Sequence, residues 1–157
     1  AAAAGAVTTS LDLSRKYLEW GRRNFALNGL STEGHDFIYG DAFEWFKRLA
    51  RKDRSFEVVI LDPPTFSKSK QKRIFRAEKD YGRLVESVLP LLKPNGVLFS
   101  STNAARLGRG DFLTAIRDAV AIAGRSIIRQ ETVDQPADFP VSAGEPAYLK
   151  TVWMRIK

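Results

Sequence analysis

Phe56-Glu57-Val58-Val59-Ile60-Leu61 runs directly into Asp62-Pro63-Pro64-Thr65-Phe66. All but one of the first six side chains are apolar, and a near-continuous apolar run of that length predicts a parallel strand covered on both faces by helices. The paired prolines fix φ and remove two backbone donors, so the strand must stop there in a stiff loop. In an open parallel sheet, ligands lie beyond the carboxyl ends of the strands. Asp62, Pro63, Pro64 and Phe66 therefore fall where chemistry is done. The carboxylate can accept from an exocyclic amine or a ring N–H, and Phe66 offers a face to a flipped base. A proline turn holding a buried aromatic is the alternative; the strand directly before the turn favours the functional reading.

Outward from this stretch, short strand-like runs alternate with segments of helical spacing. Residues 7–12 read as a strand, and Ser14 caps a helix over residues 15–27 that turns Tyr17, Leu18, Phe25 and Leu27 inward and stops at Asn28-Gly29. Residues 36–39 form a second strand and residues 42–50 a helix with Phe43, Trp45, Phe46 and Leu49. Downstream, a helix over residues 78–92 is stopped by Lys93-Pro94-Asn95-Gly96, and a strand follows over residues 96–101. A helix over residues 111–124 has Asp111 near its cap, and strands over residues 126–133 and 148–156 are joined by a loop rich in proline and glycine. No repeat or linker interrupts the pattern. The expectation is one doubly wound α/β domain over residues 1–157, mostly parallel, with a C-terminal antiparallel hairpin.

Two further strand ends carry an acid. Asp12 can accept both hydroxyls of a ribose, with Leu13 beside it; a helix N-terminal charge or a turn would use the same residue. Asp41 can accept from an adenine amino group while Ala42 and Phe43 flank the ring, and it can equally cap the helix starting at Ala42. After the proline turn, Lys68, Lys70, Lys72, Arg73 and Arg76 are interleaved with Ile74 and Phe75. A solvated charge run is the usual meaning of such a cluster, but its place on the substrate side assigns it to phosphates. Arg106 and Arg109 lie in a second basic loop over residues 103–110. Gly108-Arg109-Gly110 is no dinucleotide fingerprint, since it follows no strand directly and lacks a third glycine. Trp20, Trp45 and Trp153 read as packing residues. His35 reads as solvent-exposed, with no role. Tyr148-Leu149-Lys150 fits either a substrate contact or a hairpin turn.

Composition narrows the chemistry. The formal charge of +7 favours a polyanionic partner. Cysteine is absent and His35 is the one histidine, which excludes disulfides, thiol nucleophiles and histidine-rich metal sites. No apolar run is long enough to cross a bilayer, and no basic-then-apolar leader opens the sequence. A cytoplasmic protein without a metal is expected.

Thr9-Ser10-Leu11-Asp12-Leu13-Ser14, Tyr17-Leu18-Glu19-Trp20, Asn24 and Leu27-Asn28-Gly29-Leu30 together resemble the cofactor-binding half of class I methyltransferases of the large-subunit 23S rRNA type. Leu61 through Lys70 is similar to the same group, especially to the enzymes that modify guanine N7. Phe139-Pro140 through Tyr148-Leu149-Lys150 is similar to the related cytosine-C5 enzymes. The resemblance implies a Rossmann-like class I methyltransferase sheet, S-adenosyl-L-methionine as cofactor and an rRNA base as substrate. For that cofactor, the strand-end reading puts Asp12, Leu13, Asp41, Ala42, Phe43 and Asp62 in the binding set.

Two departures from the family count. Cytosine-C5 enzymes place a cysteine nucleophile after the strand corresponding to residues 96–101, where Ser100-Ser101-Thr102 stands here. Thiolate attack is closed, whereas guanine N7 already directs a lone pair outward and needs positioning rather than a covalent intermediate. The family's first strand and glycine-rich loop should also precede Ala1, with residues 1–5 reading as the end of the following helix. A vacant central position in the sheet is then expected, and an RNA-binding domain can precede it. The rivals are a methyltransferase for protein or small molecules, a nicotinamide-dependent dehydrogenase and a non-catalytic RNA-binding module.

Overall fold

The computed structural model describes residues 1–68, 74–133, 135, 141 and 148–157. Two compact units result, Ala1–Trp45 and Phe46–Lys157. In the first, a 3-10 turn over Ala2–Ala4 is closed by Gly5 in the left-handed region. Strand β1 (Thr9–Asp12) pairs in parallel with β2 (Asp36–Tyr39), in register from Thr9↔Asp36 to Asp12↔Tyr39. Helix α1 (Arg15–Leu27) connects them and starts where the Ser14 hydroxyl accepts the Tyr17 amide at 3.3 Å. This is the βαβ unit expected from the sequence.

Two expectations about α1 and its surroundings are corrected. Leu18 is buried and Phe25 half-buried, with the Phe25 ring edge-on to Phe37 and His35. Tyr17 and Leu27, expected inward, are 58% and 83% exposed. At about 100° per residue, Leu27 stands on the opposite side of the helix from Leu18, and the buried stripe is narrower than the set of apolar residues. His35, in turn, is half-buried rather than exposed. Its Nδ1 accepts the Thr8 amide at 3.1 Å and meets the Thr8 hydroxyl at 2.9 Å, so the ring proton resides on Nε2.

Helix α2 (Ala42–Ala50) begins in the first unit and ends in the second, with Phe46 and Leu49 buried. The second unit is built on a four-stranded sheet ordered β3-β6-β8-β7. Strand β3 (Phe56–Leu61) is parallel to β6 (Leu92–Thr102), as expected. Strands β7 (Ile127–Val133) and β8 (Lys150–Ile156) form the expected antiparallel hairpin, whose second strand is the one that bonds to β6. Between β3 and β6, β4 (Phe66–Lys68) and β5 (Ile74–Arg76) pair in an antiparallel ladder that the charge run had hidden.

Helices α3 (Ala77–Val88) and α4 (Arg109–Ile122) supply the rest of the core. They approach closely where Gly82 meets Ala115: a Cβ added at Gly82 would lie 3.2 Å from the Ala115 carbonyl oxygen. Leu98, Ser100 and Thr102 of β6 share one sheet face with Val152, Met154 and Ile156 of β8, and all are fully buried. By register, Val59 and Leu61 belong to this face. Val58 and Ile60 lie on the other face, with exposures of 51% and 61%, so β3 is covered on one side and the expectation of two covered faces is corrected. Among the described residues, β1 bonds to β2 alone and β3 to β6 alone.

The expected long third helix ends at Val88 and gives way to a 3-10 turn over Leu89–Leu91, because Pro90 lacks an amide hydrogen. Lys93-Pro94-Asn95-Gly96, expected to precede the next strand, instead interrupts it. The register jumps from Phe56↔Leu92 to Val58↔Val97, and Asn95 takes up the change with φ 61, a conformation that asparagine tolerates. Arg125 fastens this irregular start. Its guanidinium donates to the carbonyls of Leu89, Leu92, Lys93, Ile156 and Lys157 at 2.9–3.4 Å. Replacing it by leucine strands several acceptors and should lower the free energy of unfolding by about 2–3 kcal/mol in urea titrations. Arg125→Lys should recover less than half of that loss, since one ammonium cannot span the same set.

Candidate active site

The first unit carries its acids at the carboxyl ends of adjacent parallel strands. Asp12 ends β1, and its Oδ1 accepts the Ser14 amide at 2.6 Å. The turn role is therefore real but uses one oxygen; Oδ2 has no partner among the described residues and is available to a ligand hydroxyl. Leu13, next along, is exposed. Asp41 follows β2 by two residues, and its Oδ1 accepts the Glu44 amide at 3.2 Å. The helix-capping role thus holds, and Ala42 and Phe43 beside it are half-buried.

Gly40 sets the path between Tyr39 and Asp41. Its φ is 152, its amide donates to the Asp12 carbonyl at 3.0 Å, and an added Cβ would lie 2.3 Å from Trp45 Nε1. That indole nitrogen donates to the Tyr39 carbonyl at 3.1 Å. Trp45, read from sequence as packing, thereby holds the turn that presents Asp41. The signal available in the sequence was a glycine between a strand and an acid, with a tryptophan one helical turn further on.

In the second unit, Asp62 follows β3 and is exposed. Its Oδ1 accepts the Ser101 hydroxyl at 2.5 Å. Pro63 and Pro64 lead to Thr65, whose hydroxyl donates to Asn103 Oδ1 at 3.1 Å. Beneath them, the buried Tyr81 hydroxyl lies 3.1 Å from the Leu61 carbonyl and 2.9 Å from that of Ser101. Burial pushes the Tyr81 pKa up, so the hydroxyl keeps its proton. Phe66 is 54% exposed while Phe75 is buried, which removes the reading of Phe66 as a buried turn aromatic. The Arg76 guanidinium sits 5.7 Å from the Phe66 ring centroid. Tyr81, Ser101, Thr65 and Asn103 were not singled out from the sequence, because their roles depend on partners more than 19 residues away.

The basic residues divide. Lys68 and Arg76 are exposed on the paired strands β4 and β5; Lys70, Lys72 and Arg73 lie outside the described residues. Arg106 is exposed in the loop after β6, anchored by buried Ala104 and Leu107. Arg109, expected in that loop, is the first residue of α4. Lys150 is buried, and its Nζ donates to the Tyr148 carbonyl at 2.6 Å. Burial and then the charge of Arg109 hold its pKa below the usual lysine value.

Within each unit a parallel strand runs into an acid, at Asp12 and after the turn to Asp41 in the first and at Asp62 in the second, the pattern of doubly wound nucleotide-handling folds. The family model for S-adenosylmethionine-dependent methyltransferase matches residues 1–155, and the chain belongs to that family. This sets aside the dehydrogenase and makes S-adenosylmethionine the cofactor. The donor set fits it: a half-free carboxylate at Asp12 suits a ribose, and Asp41 stands at the neighbouring strand end.

Among curated relatives, the ribosomal RNA large subunit methyltransferase K/L of Psychrobacter arcticus is 40% identical over 131 residues, covering 81% of this chain and 17% of that protein. The protein of the same name from Methylococcus capsulatus is 38% identical over 141 residues, covering 88% of this chain and 18% of the relative. The chain thus spans less than one fifth of the length of these relatives. A solved protein assigned as a methyltransferase and complexed with SAH superposes with a TM-score of 0.81 at 28% identity, over 95% of this chain and 39% of the other. A SAM-dependent methyltransferase from Agrobacterium tumefaciens, at 18% identity, shares the fold with a TM-score of 0.76 over 98% of this chain and 50% of the other.

Gly40→Ala should force Trp45 aside and destabilise the protein by about 1–3 kcal/mol, with weaker S-adenosylmethionine binding by calorimetry. Trp45→Phe removes the indole hydrogen bond together with part of the ring's packing and should cost about 1–3 kcal/mol.

Proposed function

We propose that the full-length protein transfers a methyl group from S-adenosylmethionine to a base of large-subunit ribosomal RNA, at a ring nitrogen such as guanine N7, in the cytoplasm. The observation that carries this reading is Asp62. It stands at the end of a parallel strand with one oxygen engaged by Ser101, ahead of the exposed Phe66 ring. In this reading Asp12 accepts from the ribose hydroxyls and Asp41 from the adenine amine, with Leu13, Ala42 and Phe43 around the ring. The bound cofactor supplies an electrophilic methyl on a sulfonium.

Asp62 accepts an N–H of the target base and orients it. Pro63 and Pro64 keep the loop from yielding, and Phe66 stacks on the base, with the Arg76 cation nearby for a phosphate. Lys68, Arg106 and Arg109 extend the phosphate contacts, as do Lys70, Lys72 and Arg73 of the same charge run. Guanine N7 needs no base to remove a proton, so orientation and a short path to the methyl account for most of the rate. Ser100-Ser101-Thr102 stands where cytosine-C5 enzymes place their cysteine nucleophile, which argues against thiolate addition at cytosine C5. The names of the curated relatives support the RNA substrate.

Tritium transfer from labelled S-adenosylmethionine to ribosomal RNA by the full-length protein tests the reading. Asp62→Ala should reduce transfer by roughly 100-fold or more while leaving cofactor affinity intact; wild-type transfer by this variant would reject the role of Asp62. RNA affinity should fall steeply and linearly in log–log form as salt rises. A salt-independent substrate affinity would favour a protein or small-molecule acceptor instead.

A further inference from the structure

We infer that Ser101 is a positioning residue for methyl transfer: it fixes the rotation of the Asp62 carboxylate and is itself held by the Tyr81 hydroxyl. The inference deepens the proposed function and rests on Asp62 receiving the target base. Three hydrogen-bonded links join the end of β3 to the end of β6. Tyr81 bridges the carbonyls of Leu61 and Ser101, Ser101 donates to Asp62, and Thr65 donates to Asn103. The β3–β6 ladder ends at Leu61↔Ser100, so these links take over where backbone pairing stops.

A phenol has one proton, and here two carbonyls lie within reach of it. The shared bond keeps the Leu61 and Ser101 backbones at a set separation, with the Tyr81 ring seated edge-on against Phe112 at 4.9 Å. From that fixed backbone, the Ser101 side chain reaches Asp62 Oδ1. The carboxylate would otherwise turn freely about its terminal torsion, which is broad and two-fold. Held through Oδ1, it presents Oδ2 in one direction, and Oδ2 has no partner among the described residues. Neither Tyr81 nor Ser101 is exposed enough to serve as a base platform, at 1% and 5%. Their part is to hold the group that meets the substrate.

Three replacements at position 101 of the full-length protein separate positioning from packing. S101A deletes the hydroxyl. S101T and S101V have nearly the same shape and differ in that hydroxyl, both with a β-branch that strands accept. S101A and S101V should lower kcat about 10–100-fold, with the S-adenosylmethionine Kd and melting temperature close to wild type, and S101T should recover most of kcat. Wild-type kcat in S101A or S101V overturns the inference. So does an S101T as slow as S101V, or a fall in kcat matched by an equal loss of cofactor affinity. Asp62→Ala is measured beside them. If it is fully active, the base-site reading itself fails; if it is slow while S101A is not, only the role of Ser101 falls.

Discussion

The second unit depends on one buried phenol. Tyr81 lies on α3, yet its hydroxyl is bound by the last carbonyl of β3 and by a carbonyl near the end of β6. Parallel strands have no hairpin to set their ends in register, so the positions of the loops that follow them must be fixed by something else. A side chain from the covering helix does so here. An unpaired buried carbonyl costs about 1–3 kcal/mol, and the shared phenol proton gives the carbonyls at both strand ends a partner.

The first unit solves the same problem with backbone and indole groups. Gly40 extends the β1–β2 bonding by one residue to the Asp12 carbonyl, and Trp45 returns from α2 to the Tyr39 carbonyl. Each acid commits an oxygen to a local bond. One oxygen of Asp12 closes a turn onto Ser14, one of Asp41 caps α2 through Glu44, and one of Asp62 receives Ser101. A carboxylate with one oxygen so engaged has lost rotational freedom before any ligand arrives, which reduces the entropic cost of binding. In the proposed reading, structural and ligand-binding roles are not alternatives at these positions, because the local bond orients the group that would bind.

The distribution of apolar surface follows from coverage rather than composition. Val59 and Leu61 lie on the sheet face shared with the buried residues of β6 and β8, whereas Val58 and Ile60 lie on a face that is open to solvent along β3. On that same face, Phe99 and Trp153 pack ring to ring at 4.4 Å, and Trp153 keeps much of its surface exposed. At the far end of the sheet, Arg125 replaces regular pairing with a guanidinium that serves five carbonyls. Only a planar fork of five donors can do this from one position.

What was legible in the sequence is what local chemistry dictates. Ser14, Asn28-Gly29 and the apolar spacing specify α1 to the residue, and Ala42–Ala50 and Phe56–Leu61 were equally plain. The acids at the strand ends were visible too, because a strand followed by a turn leaves few places for a carboxylate. Tertiary structure decided the rest. Which strand lies against β6, which face of β3 is buried, and that Lys93-Pro94-Asn95-Gly96 is absorbed as an irregularity all depend on pairing with residues far along the chain. The same holds for Tyr81 and Ser101. Their residue types are ordinary, and the carbonyl or carboxylate that each one meets is put there by the fold, so no local pattern marks them.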